Sequence, residues 1–244
     1  MRFDEKSLRS SLARAFEMNR LSGLLSKEAS DRLVLLTEIL LCENEKYNLT
    51  AITEPCEIAL SHYADSALLS SYIKQGASVC DVGCGAGFPT LPLAILRPDL
   101  TFLAVDSTAK RIAYVENTAK ELGLKNVSAV CARAEELSLT DRRESFDYVT
   151  ARAVAALPVL SELCLPLVRV GGQFLAMKGR NAKFELAEAR RAIATLGGRL
   201  NRLDELTLLG GKEDALHPVI VIDKLTKCPE KYPRAYAKIV KSHL

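Results

Sequence analysis

The stretch Asp81-Val82-Gly83-Cys84-Gly85-Ala86-Gly87 has the residue types of a nucleotide-type cofactor site: an acid within the end of an apolar run, then three alternate glycines. Ser78 to Val82 reads as a buried strand. Glycine tolerates positive φ and has no Cβ, so the loop after this strand is expected to turn sharply and bring bare backbone amides to a ligand. Pro89 and Pro92 follow, then an apolar helical stretch through Leu96. Strand, glycine loop and helix open a Rossmann-like unit, which binds its ligand outside the carboxyl ends of the strands. Spacing then selects the ligand. The dinucleotide fingerprint has two residues between its second and third glycines, whereas Ala86 alone separates Gly85 from Gly87. That favours S-adenosylmethionine over NAD. Asp106 closes the next apolar strand, Thr101 to Val105, where a carboxylate can accept both hydroxyls of a ribose.

The elements that must position these residues follow from periodicity. With 244 residues, 48% of them hydrophobic, the chain fits one α/β domain plus a smaller appendage. Leu8, Leu12, Ala15 and Phe16, then Leu33, Leu36, Leu40 and Leu41, recur at helical spacing, with Ser26 as N-cap of the second helix. This predicts a helical appendage over residues 1–75. A third helix, from about Pro55 to Tyr72, brings His62, Asp65 and Ser66 to one face, and Tyr47 to Thr50 reads as a loop.

From Ser78 strands and helices alternate, which predicts a parallel sheet over residues 76–223. A helix from Lys110 to Leu122 ends at Gly123; strands follow at Val127 to Cys131 and Tyr148 to Ala151. Next come a helix from Leu157 to Val168, a Gly171-Gly172 turn, a strand from Gln173 to Met177 and a helix from Phe184 to Leu196. Leu203 to Leu209 and Val219 to Ile222, flanking Gly210-Gly211, suit a terminal antiparallel pair. Residues 224–244 read as an extended basic tail.

Composition excludes several classes. The amino terminus, Met1 to Lys6, lacks a signal peptide's apolar segment, and no later apolar run approaches membrane-spanning length, so a cytoplasmic protein without a membrane partner is expected. Seven cysteines occur without a Cys-x-x-Cys pair or a histidine cluster, the pattern of reduced thiols and no metal. Cys84, inside the glycine loop, has no histidine near in sequence to activate it and reads as a small buried filler. The net charge of +3 permits a nucleic-acid partner without demanding one. Local charge says more: Lys110, Arg111, Lys178, Arg180 and Lys183 fall after strand ends or at helix starts, the side from which a substrate approaches. The first four are the expected RNA contacts. Arg190, Arg191 and the tail lysines read singly as solvated surface and together as a track for RNA.

Several segments together closely resemble the RsmG (GidB) methyltransferases of bacterial small-subunit ribosomal RNA. They are Tyr47-Asn-Leu-Thr50, His62 with Asp65-Ser66, Asp81 to Ile95 with its Gly-Phe-Pro-x-x-Pro-Leu core, Val105-Asp-Ser107 with Lys110-Arg111, Thr150-Ala-Arg-Ala153, and Lys178. The tail Cys228-Pro-Glu-Lys-Tyr-Pro-Arg234 further resembles members from Gram-positive bacteria. The resemblance implies a class I methyltransferase fold, S-adenosylmethionine as cofactor, and methyl transfer to N7 of one guanine in 16S rRNA, with a monomeric enzyme acting on RNA or on the small subunit. Carried over residue by residue, it adds Phe88, Ala134, Glu135 and Arg152 to Gly83, Gly85, Gly87 and Asp106 as cofactor contacts. The planar fork of Arg152 suits either the methionine carboxylate or guanine O6, and His62 and Asp65 are expected to pair and tie the appendage to the mouth of the site. Three positions depart from the family pattern: Thr90 for a glycine, Glu43 for a tryptophan, and Leu216-His217-Pro218 where an arginine precedes the last strand. Fold and cofactor alone leave open a methyltransferase of small molecules or proteins, and a non-catalytic RNA-binding factor that keeps the pocket. No general base is expected, because N7 carries a free lone pair and no proton.

Overall fold

The computed structural model describes residues 4–211 and 215–244, without the side chain of Ala215. The first three residues of the expected appendage, and the residues that continue the Gly210-Gly211 loop, lie outside that range. Helix α1 (Glu5–Met18) starts where the Asp4 carboxylate accepts from the Ser7 amide, and α2 (Lys27–Tyr47) where the Ser26 hydroxyl accepts from the Ala29 amide. Both caps satisfy amides that the first turn of a helix leaves unpaired. Next comes one continuous helical run: α3 (Pro55–Glu57), a π-helical segment (Ile58–Ala64), α4 (Asp65–Ala67) and a 3₁₀ turn (Leu68–Tyr72). The helix expected here is present, and its π-helical middle is what periodicity could not show.

Five parallel strands form the sheet's first part: β1 (Ser78–Val82), β2 (Thr101–Asp106), β3 (Val127–Cys131), β4 (Phe146–Arg152) and β5 (Val168–Met177). Helices α5 (Thr90–Leu96), α6 (Ala109–Glu121), α7 (Ala134–Leu137), α8 (Leu157–Cys164) and α9 (Ala182–Thr195) follow β1 to β5 in turn. The chain closes with the antiparallel pair β6 (Gly198–Leu208) and β7 (Ala215–Lys224), in the order β3-β2-β1-β4-β5-β7-β6. This is the expected Rossmann-like sheet with its antiparallel edge. The order reverses between β1 and β4, and a crevice at such a switch point is where open α/β sheets bind ligands.

Each face of the sheet carries its own core. One unites Leu8, Phe16, Leu33 and Tyr63 of the amino-terminal helices with Val79, Phe102, Leu91 and Val115; the other gathers Val149, Leu160, Phe174, Ala189 and Ile222. The amino-terminal helices thus share a core with the sheet.

Four details differ from the sequence expectation. Pro166 has no amide to continue α8, which ends at Cys164 instead of reaching Val168. Gly171-Gly172 is no turn but part of β5: a Cβ on Gly172 would stand 2.5 Å from the Asp147 carbonyl oxygen, and the β4–β5 register shifts between Phe146 and Tyr148. Cross-strand pairing extends β6 and β7 well beyond their apolar centres. The tail is not extended either. It folds back onto the second core through Cys228, Tyr232 and Ile239 and ends in α10 (Tyr236–Lys241).

Candidate active site

Two cavities, each of about 390 Å³, open at the carboxyl ends of the parallel strands and meet at Ala153. Ala153 itself has φ 56, a left-handed conformation that costs a residue with a Cβ roughly 1–2 kcal/mol and tends to persist at functional sites.

The first cavity lies over β1, β2 and β3 and is lined by Val82, Gly83, Asp106, Ser107, Arg111, Arg133, Ala134, Glu135 and Val154, among others. Four expected cofactor residues therefore face it: Gly83, Asp106, Ala134 and Glu135. Gly83 has φ 72, and a Cβ there would come 2.5 Å from Val154 Cγ2, so the absence of a side chain leaves the loop's approach open. The loop's amides, however, are engaged within the protein and not presented bare. Gly83 and Cys84 both donate to the Val105 carbonyl (2.7 and 3.0 Å), Gly85 to Asp106 Oδ2 (3.1 Å) and Gly87 to the Cys84 carbonyl (2.8 Å).

The other two glycines serve the loop itself. Gly85 lets its amide reach Asp106, and Gly87, where a Cβ would stand 2.5 Å from Leu91 Cδ1, lets α5 pack close. Asp106 is buried, accepts from the Thr108 amide at 2.8 Å and lies 3.4 Å from Arg111 Nη1. The two amides leave about two of a carboxylate's four acceptor sites for a diol, with the long Arg111 contact at 3.4 Å the one that a ligand would displace. A nucleoside of the size of S-adenosylmethionine fits this donor set: glycine without a side chain at one end, a fixed carboxylate in the middle, and Ala134-Glu135 at the other end.

Below the loop, Asp81 is buried and accepts from Thr90 Oγ1 (2.7 Å) and Thr150 Oγ1 (2.9 Å), while burial raises its pKa above the usual carboxylate value. It clamps β1, β4 and the start of α5. Thr90, one of the departures from the family pattern, thus has a structural partner. The Cys84 thiol is buried and its pKa is pushed up by desolvation, then by Asp81 and Asp106; it packs as a filler.

The second cavity is lined by Ile52, Ser61, His62, Asp65, Arg152, Met177, Lys178, Glu185 and His217, among others. Arg152 belongs here and not to the cavity of Asp106. Its Nη1 donates to Asp65 Oδ2 (2.8 Å) and to the Ser61 carbonyl (3.1 Å), and no protein acceptor among the described residues takes its Nε or Nη2. Phe88 lines neither cavity. Its ring is stacked on His62, with centroids 4.2 Å apart and planes 12° apart, and the Arg152 guanidinium lies 5.5 Å from its centroid.

The expected pairing of His62 with Asp65 does not occur. His62 Nε2 is 3.0 Å from Thr50 Oγ1, its buried Nδ1 has no hydrogen-bond partner among the described residues, and desolvation, then Arg152, lowers its pKa to about 4. The ring is neutral at physiological pH. Asp65 instead joins Arg152 and His217, whose Nδ1 is 2.7 Å from Asp65 Oδ1. Burial works to raise the Asp65 pKa, but His217 and Arg152 together outweigh it and hold the carboxylate below its usual value.

The expected RNA contacts divide. Lys110 lies 6.0 Å from the Tyr47 ring centroid, Arg111 lines the first cavity, and Arg180 is exposed in the turn before α9. Lys178 is different: its Nζ is 2.6 Å from Glu185 Oε2 and donates to the Ala155 carbonyl at 2.8 Å, which makes it a wall of the second cavity.

Residues 29–209 match the family model described as rRNA small subunit methyltransferase G. The chain belongs to that family. Its relatives include the ribosomal RNA small subunit methyltransferases G of Lactobacillus acidophilus, 44% identical over 89% of this chain and 92% of that protein, and of Staphylococcus carnosus, 48% identical over 81% and 83%. Among solved structures, M. jannaschii TYW2 in complex with AdoMet superposes with TM-score 0.53 at 14% identity over 66% of this chain and 75% of that one. The [4+2]-cyclase SpnF gives 0.53 at 17% identity over 67% and 81%. Likeness at such identities concerns the fold.

Several lining residues carry no signal in the sequence as site residues, among them His217, Val154 and Tyr236. His217 departs from the family's arginine, yet its Nδ1 lies 2.7 Å from Asp65 Oδ1. Val154 and Tyr236 carry no motif, and only the turn after β4 and the returning tail bring them to the first cavity. The matched span ends at residue 209, so the tail lies beyond it.

Proposed function

We propose that this chain transfers a methyl group from S-adenosylmethionine to N7 of a guanine in 16S rRNA, with the cofactor in the first cavity and the target base in the second. The observation that carries this reading is the meeting of two spaces of different character at Ala153: one built around a buried ribose-type carboxylate, the other around an arginine with unused donors.

When bound, S-adenosylmethionine supplies a methyl group on a positively charged sulfur. What the protein contributes is position, and aligning reactants can lower a barrier by roughly 7–11 kcal/mol. Gly83 and Asp106 hold the nucleoside, so that the reacting end faces Ala153. Arg152, clamped on one side by Asp65 and Ser61, presents its remaining donors to an acceptor in the second cavity; guanine O6 suits that fork and leaves N7 free. No residue has to take a proton, because N7 has none. The neutral His62 ring supports Phe88, and through it the wall that Arg152 leans on. Positive charge passes to the purine during transfer, and the Asp65 carboxylate, 2.8 Å from Arg152, moderates the cationic wall beside it. Lys110, Arg111 and Arg180 are the cations to which we assign the phosphates of the approaching RNA, with Lys178 shaping the base pocket.

The test is to incubate the purified protein with labelled S-adenosylmethionine and small subunits from a strain lacking the corresponding gene, then map the label. Label on N7 of a single guanine of 16S rRNA is expected. Label on an exocyclic nitrogen, or on protein, overturns the assignment.

A further inference from the structure

The last twenty residues return to the first cavity along a chain of buried polar anchors. Lys224 is fully buried; its Nζ donates to the Leu165 and Leu196 carbonyls (2.9 and 3.0 Å) and lies 3.2 Å from Glu144 Oε1. The Cys228 amide donates to that same Glu144 oxygen at 2.6 Å, and Arg143 donates to the carbonyls of Cys228 and Tyr232. Arg234 forks onto the buried Glu162 carboxylate, Nε to Oε1 at 2.9 Å and Nη2 to Oε2 at 2.7 Å, and its own amide donates to Oε1 at 2.8 Å. Ile239 then plugs into the second core. Between the last two anchors, Tyr236 lines the first cavity, 40% exposed, with the Arg133 guanidinium 5.8 Å from its ring centroid.

The covalent order of the cofactor fixes which end Tyr236 meets. The ribose hydroxyls belong at Asp106, and the methyl must point toward Ala153, where the second cavity begins. The base, on the opposite side of the sugar, therefore extends toward Arg133, Ala134 and Glu135. Tyr236 stands at that end, beside Arg133.

We propose that the carboxy-terminal strap is a working part of the cofactor site: Tyr236 forms the outer wall of its adenine end and sets affinity for the nucleoside half of the ligand. An aromatic face suits this place, because a purine gains from stacking while its edge stays free for the backbone of Ala134 and Glu135. Anchoring at Arg234 and Ile239 holds the ring in position before the ligand arrives, which lowers the entropy lost on binding. The inference rests on reading the first cavity as the cofactor site, and the experiment separates the two.

Calorimetric titration of the full chain with S-adenosylhomocysteine and with 5′-methylthioadenosine, which lacks the amino-acid end, is compared for the wild type, Tyr236→Ala, Tyr236→Leu and Tyr236→Phe. Tyr236→Ala is expected to weaken both ligands roughly tenfold, the loss typical of a removed stacking partner. Tyr236→Phe should bind as the wild type does, and Tyr236→Leu should fall between. Melting temperatures without ligand should agree across all four proteins, since the side chain is partly exposed. Equal affinity in Tyr236→Ala and wild type, or a loss confined to S-adenosylhomocysteine, overturns the role of Tyr236. So does a loss that tracks the ligand-free melting temperature. Failure of the wild type to bind either ligand overturns the reading of the cavity itself.

Discussion

The two cavities that meet at Ala153 are built by opposite means. The first is framed by the turns that follow β1, β2, β3 and β4, whose residues come at regular intervals along the chain, with Tyr236 of the tail the exception. The second is assembled chiefly from side chains of separate segments: His62 and Asp65 on the helical run, Arg152 at the end of β4, Lys178 and Glu185 around the start of α9, and His217 on β7. A scaffold can fix a shared cofactor with local structure, whereas a particular substrate is matched by side chains that only the complete fold brings together. Substitutions in the two spaces should therefore have separable effects, on cofactor affinity in one and on transfer to RNA in the other.

Asp106→Ala should give the largest effect. With the ribose at Asp106, as proposed, it removes two charge-assisted hydrogen bonds at roughly 1.5–3 kcal/mol each, so S-adenosylmethionine should bind at least about a hundredfold more weakly. It also releases the Gly85 and Thr108 amides, so the glycine loop should lose protection against hydrogen exchange. Titration calorimetry decides the first point. An affinity within threefold of the wild type would place the ribose elsewhere.

This contrast also explains what could be read from the sequence. Alternating strands and helices, the capped α2 and the antiparallel edge follow from periodicity and turn chemistry, which are local. Gly83 and Asp106 were legible because their spacing is a property of one βαβ unit. The partner of Asp65 was not, because nothing in the spacing of His62 and Asp65 reveals Arg152, some 87 residues away, or His217 on the antiparallel strand. His62 and Asp65 do share a face, since both line the second cavity, but packing gives each a partner from elsewhere: Thr50 for the ring, Arg152 and His217 for the carboxylate. The tail misled for a related reason. Its lysines suggested a solvated strand, yet Lys224 is buried because two carbonyls and Glu144 converge on it, a coincidence of β7, α8 and α9 that no local pattern encodes.

Arg234→Ala sharpens the comparison from the tail. A surface tail would tolerate it, but here it strands Glu162, a carboxylate that is 0% exposed. Removing one member of a buried ion pair typically costs about 3–5 kcal/mol. We expect loss near the lower figure, since the arginine is partly exposed, measured as the shift in urea midpoint at constant slope. A change under about 0.5 kcal/mol, the scale of ordinary surface substitutions, would show that the strap is not anchored there.

Arg152→Lys should affect the second cavity alone. Lysine retains the charge toward Asp65 but lacks the planar fork, so one charge-assisted bond to the base is lost, and kcat/KM for small subunits should fall roughly 10- to 100-fold. Affinity for S-adenosylmethionine should stay within twofold. The opposite split, weak cofactor binding with unimpaired transfer at saturating cofactor, would return Arg152 to the methionine end of the first cavity.

An effect of similar size to that of Arg152→Lys lies in the pH dependence of stability. His62 is buried against the Phe88 ring, and burial first, then the charge of Arg152, lowers its pKa to about 4 in the folded protein from an ordinary value near 6.5. Below that ordinary value the unfolded chain binds a proton that the folded chain refuses. Stability should therefore fall as the pH drops from about 6.5 toward 4 and stop falling on this account once the folded ring is protonated too. From pH 7.5 to pH 5 the loss from this one group is about 2 kcal/mol. Asp65 acts in the same direction but at lower pH, because its depressed carboxyl pKa keeps it ionised further into acid. His62→Gln removes the titrating ring while keeping a polar group for Thr50, so urea unfolding at the two pH values isolates the histidine. The variant should lose about 2 kcal/mol less than the wild type between them. If both proteins lose the same amount, the ring must reach solvent or carry a proton when folded, and the neutral support beneath Phe88 and Arg152 would have to be abandoned.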